Sequence, residues 1–428
     1  MKWRKSFMKR KAILVGVNLN STQSDFEYMM GELANLAGAC DVEVVGEITQ
    51  NLHQLNKSHY IGAGKVEELL SLLKEKDANV VIFDDELSPS QIRNLESELD
   101  CEVIDRTMLI LEIFSNRAKT RESQLQVEVA RLKYMLPRLV GMRESLGRQG
   151  GGAGLKNRGA GETKLELDRR KIEIKITALN KELEKLINQR KTQRKLRKKN
   201  NIPVVSLVGY TNAGKSTIMN AMLEKYNEAM DKQVFEKDML FATLETSVRK
   251  IKLTKNKTFL LTDTVGFINK LPHHLIKAFR STLEEVGEAD LLIHVLDYSS
   301  PHHEEQKRLT NEILSEIGIE GIPVIYANNK ADLTEAEYPF SQQNCVYLSA
   351  KNRLGLNELT QLISQEIFSD SIQCELLIPY AQGEIVSYFN ENSHILLSEY
   401  EDNGTKIIVE CKRSDAEKYK QYIRLTQV

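Results

Sequence analysis

PVVSLVGYTNAGKSTIMN, residues Pro203 to Asn220, decides the fold of this chain. A short apolar run (Val204, Val205, Leu207, Val208) stops at Gly209. Tyr210, Thr211, Asn212 and Ala213 intervene, then Gly214, Lys215, Ser216 and Thr217 open a helical pattern. The spacing G-x-x-x-x-G-K-[ST], with a strand before and a helix after, is the phosphate-loop signature in its required context. Glycine lets successive backbone N–H groups curl inward around a polyphosphate. The helix that follows aims its positive end at the same point. Lys215 supplies a mobile charge for the outer phosphates and Ser216 a hydroxyl oxygen for Mg²⁺.

Three further stretches follow in order, each at the end of an expected strand. Phe259-Leu260-Leu261-Thr262-Asp263 ends in a carboxylate suited to Mg²⁺. Thr264-Val265-Gly266 then brings a backbone N–H within reach of a γ-phosphate. Val324–Asn328 runs into Asn329-Lys330-Ala331-Asp332. The Asp332 carboxylate can accept two parallel hydrogen bonds, matching the adjacent donors on guanine and leaving adenine mismatched. Val346-Tyr347-Leu348 leads to Ser349-Ala350-Lys351, whose backbone N–H can meet the guanine oxygen. The combination predicts a GTP- and GDP-binding domain using Mg²⁺. Metal contacts are expected from Ser216, Thr243 and Asp263, and the hydrolytic machinery from Lys215, Thr243 and Gly266. Phe241 and Thr243 lie in the polar loop from Lys225 to Thr246 that should sense the γ-phosphate, and Thr246 competes with Thr243 for that role.

The chain has 428 residues, enough for about three domains. Its 59 Lys+Arg and 60 Asp+Glu nearly cancel, so net charge points to no partner. Cys40, Cys101, Cys345, Cys374 and Cys411 are scattered without a C-x-x-C pair, as in a reduced compartment. No run approaches the ~18 apolar residues of a membrane span, and the basic start MKWRKSFMKRK lacks the apolar core of a signal peptide. A cytoplasmic monomer, peripheral to a membrane at most, is expected.

Residues 1–116 alternate short apolar runs with helical stripes, predicting an α/β domain with a parallel sheet. Strands are expected at Ala12–Val17, Val42–Val45, Asn79–Phe83 and Glu102–Ile104. One helical stripe is Phe26, Met29, Leu33 and Leu36, another Val66, Leu69, Leu70 and Leu73. Ser88 should cap a helix with Pro89 at its first position. Tyr60–Lys65 lacks the phosphate-loop spacer and reads as a glycine turn entering a helix. Asp84, Asp85 and Glu86 read as a solvated loop before a helix, with metal binding the less favoured alternative.

Residues 117–200 change character. Leu125, Val129, Leu132, Leu136 and Leu139 form one heptad seam, and Leu165, Ile172, Ile176, Leu179, Leu183 and Leu186 a second. Between them Gly141–Gly161 holds eight glycines, predicting an antiparallel helical hairpin with a broken, flexible tip carrying Arg143, Arg148, Lys156 and Arg158. Such a tip suits a nucleic-acid backbone. Arg190–Lys199 adds seven basic residues and no acid, readable as a nucleic-acid contact, a linker or both. The phosphate-loop domain spans 201–370. A small α+β domain, read as β-α-β-β-α, fills 371–428.

Tracts spread across these parts resemble the HflX family of bacterial translation-associated GTPases. They include Tyr60-Ile61-Gly62, Val103-Ile104-Asp105-Arg106-Thr107, Gln126-Val127-Glu128, and Arg158-Gly159-Ala160-Gly161-Glu162-Thr163-Lys164-Leu165-Glu166. Phe241-Ala242-Thr243-Leu244 and Asp263-Thr264-Val265-Gly266-Phe267-Ile268 continue the match. Ala160 stands where the family commonly has Pro, and Leu244-Glu245-Thr246-Ser247 departs from Leu-Asp-Pro-Thr. The resemblance implies binding to the large ribosomal subunit and its RNA, not to DNA, and splitting of stalled or idle ribosomes under stress. A large-subunit assembly GTPase and a GTP-controlled protein-binding regulator are the alternatives. Phe267 occupies the position where many regulatory GTPases carry a water-orienting Gln, so slow isolated hydrolysis is expected.

Overall fold

A computed structural model of the chain describes residues 10–19, 21–146, 157–199, 202–226, 247–253, 257–272, 275, 286–369 and 371–427. Two compact units emerge. One comprises Met1–Lys195, Lys237–Glu245 and Gly266–Ser281; the other comprises Leu196–Glu236, Thr246–Val265 and Thr282–Val428.

In the first unit, β1 (Lys11–Asn18), β2 (Glu43–Asn51), β3 (Val80–Phe83) and β4 (Glu102–Asp105) form a parallel sheet in the order β2-β1-β3-β4. The unbroken apolar runs of β1 and β3 are buried throughout their centres because helices cover both faces. Helix α1 (Gln23–Ala39) buries Phe26, Met30, Leu33 and Leu36, so Met30 takes the core position expected of Met29. Helix α2 (Ala63–Lys76) begins after Gly62, in line with the glycine-turn reading of that stretch. Helix α3 (Pro89–Leu99) has the expected Ser88 cap, closed by Gln91 into a reciprocal capping box.

Helix α4 (Arg106–Arg117) was not anticipated. Its start is written in Asp105, whose Oδ1 accepts the Met108 N–H at 2.8 Å, and in the apolar run Leu109, Ile110, Leu111, Ile113 and Phe114.

Helices α5 (Arg121–Leu146) and α6 (Asn157–Lys199) make the expected hairpin. Arg121 pairs with Glu182 at 2.7 Å and Lys175 with Glu128 at 2.6 Å. As one partner advances along α5 the other retreats along α6, so the helices run antiparallel. Both penetrate the glycine-rich stretch further than its composition suggested, past Gly141 on one side and through Gly159 and Gly161 on the other. The tip cations Arg148 and Lys156 lie outside the described residues. Helix α5 does more than form a seam. Leu125, Val127, Val129, Ala130 and Tyr134 are all buried, and the helix packs on α3 and α4.

In the second unit a seven-stranded sheet runs β10-β11-β9-β8-β5-β7-β6. Its strands are β5 (Val204–Gly209), β6 (Ser247–Lys252), β7 (Thr258–Asp263), β8 (Leu291–Asp297), β9 (Val324–Asn329), β10 (Phe340–Gln342) and β11 (Cys345–Tyr347). The two edge strands, β6 and β10, are antiparallel to their neighbours and the other five are parallel. Helices α7 (Lys215–Tyr226), α8 (His303–Glu316) and α9 (Leu356–Ile367) accompany them. Strand β10 and helix α8 were not anticipated. The sequence also predicts a helix from about His274 to Val286, which falls mostly outside the described residues.

The C-terminal part holds β12 (Ser371–Ile378), α10 (Gly383–Asn392), β13 (His394–Glu401), β14 (Gly404–Lys412), α11 (Arg413–Lys418) and β15 (Ile423–Gln427). The expected final helix is corrected here. Only six residues are α-helical, a 3-10 turn at Lys420–Tyr422 follows, and the chain then returns as a fourth strand paired with β12, in the order β13-β14-β12-β15. The alternation Ile423-Arg424-Leu425-Thr426 suits a strand better than a helix. No helix among the described residues is long and apolar enough to cross a membrane.

Candidate functional site

The parallel strands β5, β7, β8 and β9 deliver their loops to one end of the sheet, where ligands of open α/β sheets bind. The β5 loop cannot be built from ordinary residues. Gly209 has φ +141° and Gly214 φ +96°. A Cβ on Gly209 would fall 2.2 Å from the Val295 carbonyl oxygen, and one on Gly214 2.1 Å from Asn329 Nδ2. Asn212 between them is also left-handed, at φ +61°. The loop therefore curls tightly, and backbone meets backbone where side chains would normally stand.

Lys215 is buried at the first turn of α7, its Nζ donating to the carbonyls of Gly209 (3.1 Å) and Tyr210 (2.8 Å). Burial, opposed by the nearby Asp263 charge, pushes its pKa down to about 8. Ser216 Oγ donates to Asp263 Oδ2 at 2.6 Å, joining the β5 and β7 loops. This hydroxyl and carboxylate, together with phosphate oxygens, are the hard oxygen donors that Mg²⁺ selects, so the residues present fit that ion. Thr211 Oγ1 is buried within the loop with no hydrogen-bond partner among the described residues, as a group awaiting an anionic ligand would be.

On the far side, Asn329 ties two loops together. Its Nδ2 donates to the Ala213 carbonyl at 2.9 Å and its Oδ1 accepts the Ala350 N–H at 3.0 Å. The Ala350 N–H, in the loop expected to meet the guanine oxygen, is thus held by Asn329. Lys330 is left-handed at φ +62° and its Nζ donates to Asp297 Oδ2 at 2.7 Å. Asp332 is half-buried with no ion-pair or hydrogen-bond partner among the described residues, so both oxygens remain open as acceptors.

Of the expected site residues, Gly209–Thr217, Asp263, Asn329, Lys330, Asp332 and Ser349–Lys351 all lie in the second unit, on the loops after β5, β7, β9 and β11. Phe241 and Thr243, with the competitor Thr246, lie outside the described residues. Gly266 belongs to the first unit, as does Phe267, which is only 1% exposed. The acidic run Asp84-Asp85-Glu86 is no open metal cluster, and the solvated-loop reading is corrected at Asp84, which is buried. Lys270 Nζ lies 2.5 Å from both Asp84 Oδ2 and Asp85 Oδ1, and Arg106 spans Asp84 (2.6 Å) and Glu32. The sequence reading gave Asp297 no role. Its signal was its place at the end of an apolar strand beside the Asn329-Lys330 loop.

Comparison with known proteins agrees with this geometry. Family models described as "GTP-binding GTPase N-terminal", "GTP-binding GTPase Middle Region" and "50S ribosome-binding GTPase" match residues 27–115, 117–197 and 204–330. A GTPase HflX from Caldanaerobacter subterraneus is 44% identical over 415 residues, covering 97% of this chain and 94% of its own. The chain belongs to the HflX GTPase family. The GTPase HflX of Escherichia coli is 38% identical over 395 residues, covering 91% of each chain. Among solved structures, a GTP-binding protein from Sulfolobus solfataricus in complex with GDP shares 24% identity, with a TM-score of 0.45 over 84% of this chain and 99% of its own. This HflX-family chain is accordingly a GTP-binding enzyme that hydrolyses GTP.

Proposed function

We propose that this HflX-family GTPase binds the large ribosomal subunit and separates stalled or idle ribosomes under stress, using GTP as its switch. The observation that carries the reading is the assembled guanine-nucleotide cradle in a segment matching the "50S ribosome-binding GTPase" family. The α5–α6 hairpin supports it, with cationic residues in the stretch joining its helices. We assign four working parts: residues 1–116 and 117–200 for ribosome engagement, 201–370 for GTP, and 371–428 as an accessory domain.

Lys215 leaves its two carbonyl partners for the outer phosphates, whose charge restores its full protonation. The curled backbone from Gly209 to Thr217 takes the remaining phosphate oxygens. Asp332 accepts from the guanine edge, and Asn329 keeps the two flanking loops in register. Ser216 and Asp263 would hold Mg²⁺, with Thr243 joining them. Mg²⁺ neutralises charge developing on the phosphoryl oxygens. Thr243 and the Gly266 N–H are assigned to the γ-phosphate, so its loss releases their loops. Phe267, apolar and packed, cannot orient water, which leaves hydrolysis dependent on a partner. Sedimentation of ribosomes with this protein and a non-hydrolysable GTP analogue tests the order of events. Subunit separation without hydrolysis is expected, and intact ribosomes would reject it.

A further inference from the structure

The loop after β8 plays no part in the nucleotide reading above, yet it is tied to both base-side loops. The Tyr298 N–H donates to the Asn329 carbonyl at 2.9 Å. The Tyr298 ring stands edge-on to Tyr347 at 5.1 Å, at the end of the strand leading into Ser349-Ala350-Lys351. Asp297 sits at the strand's last position, paired in register with Asn329. One Asp297 oxygen accepts Lys330 Nζ at 2.7 Å; the other accepts both the Ser299 N–H (3.2 Å) and the Ser299 hydroxyl (2.6 Å). The carboxylate is therefore fixed on both sides before it grips the lysine.

The consequence falls on the Lys330 side chain. A left-handed backbone at Lys330 turns its stem back from the end of β9 to the end of β8. Clamped at the ammonium, the four methylenes have fewer rotamers open to them. A purine gripped along one edge by Asp332 needs an apolar surface against its face, and a long side chain with its charge tethered elsewhere supplies one. Pre-ordering that chain removes a rotamer-entropy cost from binding.

We infer that Asp297 is a positioning residue for the guanine nucleotide, acting by holding Lys330 as a rigid wall for the base. The inference rests on the proposed assignment of Lys330 and Asp332 to the base. Because a wall for the ring is indifferent to the phosphate count and to the exocyclic amine, Asp297 affects GTP, GDP and inosine triphosphate alike. Asp332, by contrast, discriminates among purines.

The test is a double-mutant cycle on the full chain, reading equilibrium dissociation constants for GTP, GDP and inosine triphosphate together with thermal stability. Asp297→Ala should weaken all three about 3- to 20-fold, the range of a charge-assisted hydrogen bond discounted for its partial exposure. Asp297→Asn, which keeps an acceptor, should fall between. In a Lys330→Met background Asp297→Ala should cost little further affinity. Wild-type affinity in Asp297→Ala would overturn the inference. So would an undiminished penalty on top of Lys330→Met, since that is the signature of a purely structural carboxylate. Lys215→Ala and Asp332→Asn are read in parallel. If neither alters nucleotide binding, the site assignment itself is wrong; if both do and Asp297→Ala does not, only the positioning role is lost.

Discussion

Lys215 is the residue on which the chemistry turns, and its environment makes a sign-specific prediction. Its pKa in the nucleotide-free fold is pushed down to about 8, chiefly by burial, from 10.5. Between these values the unfolded chain binds more protons than the folded one, so this group makes the free protein more stable as pH rises from about 8 toward 10.5. Bound phosphates favour the ammonium, so binding at pH 8.5 should take up most of one proton, and affinity should fall as pH rises further. Calorimetry in two buffers of different ionisation heat checks this; no proton uptake would contradict it. Lys215→Ala should abolish measurable GTP binding. Asp332→Asn should move preference from guanine toward xanthine, which presents an acceptor where guanine has its amine, and competition with the two triphosphates reads it directly. His294 adds a stability effect of the same sign in a lower pH window. It is buried, and burial with the Lys307 and Lys215 charges outweighs an opposing contact with Asn311 and pushes its pKa down to about 3. The unfolded chain takes the proton first, so this contribution is lost as pH falls below about 6.5, by ~1.4 kcal/mol per unit.

At the scale of elements, the ion pairs of the first unit rank two substitutions. Arg106 is 1% exposed and bridges Asp84 and Glu32, so Arg106→Met, which takes a buried cation away from two buried carboxylates, should cost about 3–5 kcal/mol. Lys270→Met leaves Asp84 its arginine, and the Lys270 side chain is 32% exposed, so about 1–2 kcal/mol is expected. Chemical denaturation measures both, and a reversed order would mean the pairs are apportioned otherwise. These pairs also mark where sequence reading stops. The phosphate loop, Asp263, Asn329 and Asp332 were legible because their spacing is set by local backbone geometry at strand ends. Lys270 meeting Asp84, or Asp297 meeting Lys330, depends on which strands and loops become neighbours in space. Helix α4 is hard to read although Asp105 is a good cap, because Met108–Phe114 is apolar at all but Glu112 and follows β4 directly, so it shows little of the contrast between faces that marks a helix. The final strand β15 was missed because a five-residue alternation beside a short helix has little signal of its own; its pairing with β12 decides it.

For the whole molecule, the hairpin and the GTP cradle must work together if the proposed function holds. Cutting away the entire hairpin is a poor test, since Leu125, Val129 and Tyr134 on α5 are buried. Replacing only 140–164 with a short linker should keep the fold and abolish ribosome association in the GTP state. The most direct measurement is steady-state GTP hydrolysis by the intact protein, with and without purified large ribosomal subunits. With Phe267 packed and no glutamine in its place, the account predicts slow hydrolysis alone and stimulation of roughly 10³-fold or more by the subunit. Equal rates in the two conditions would contradict it.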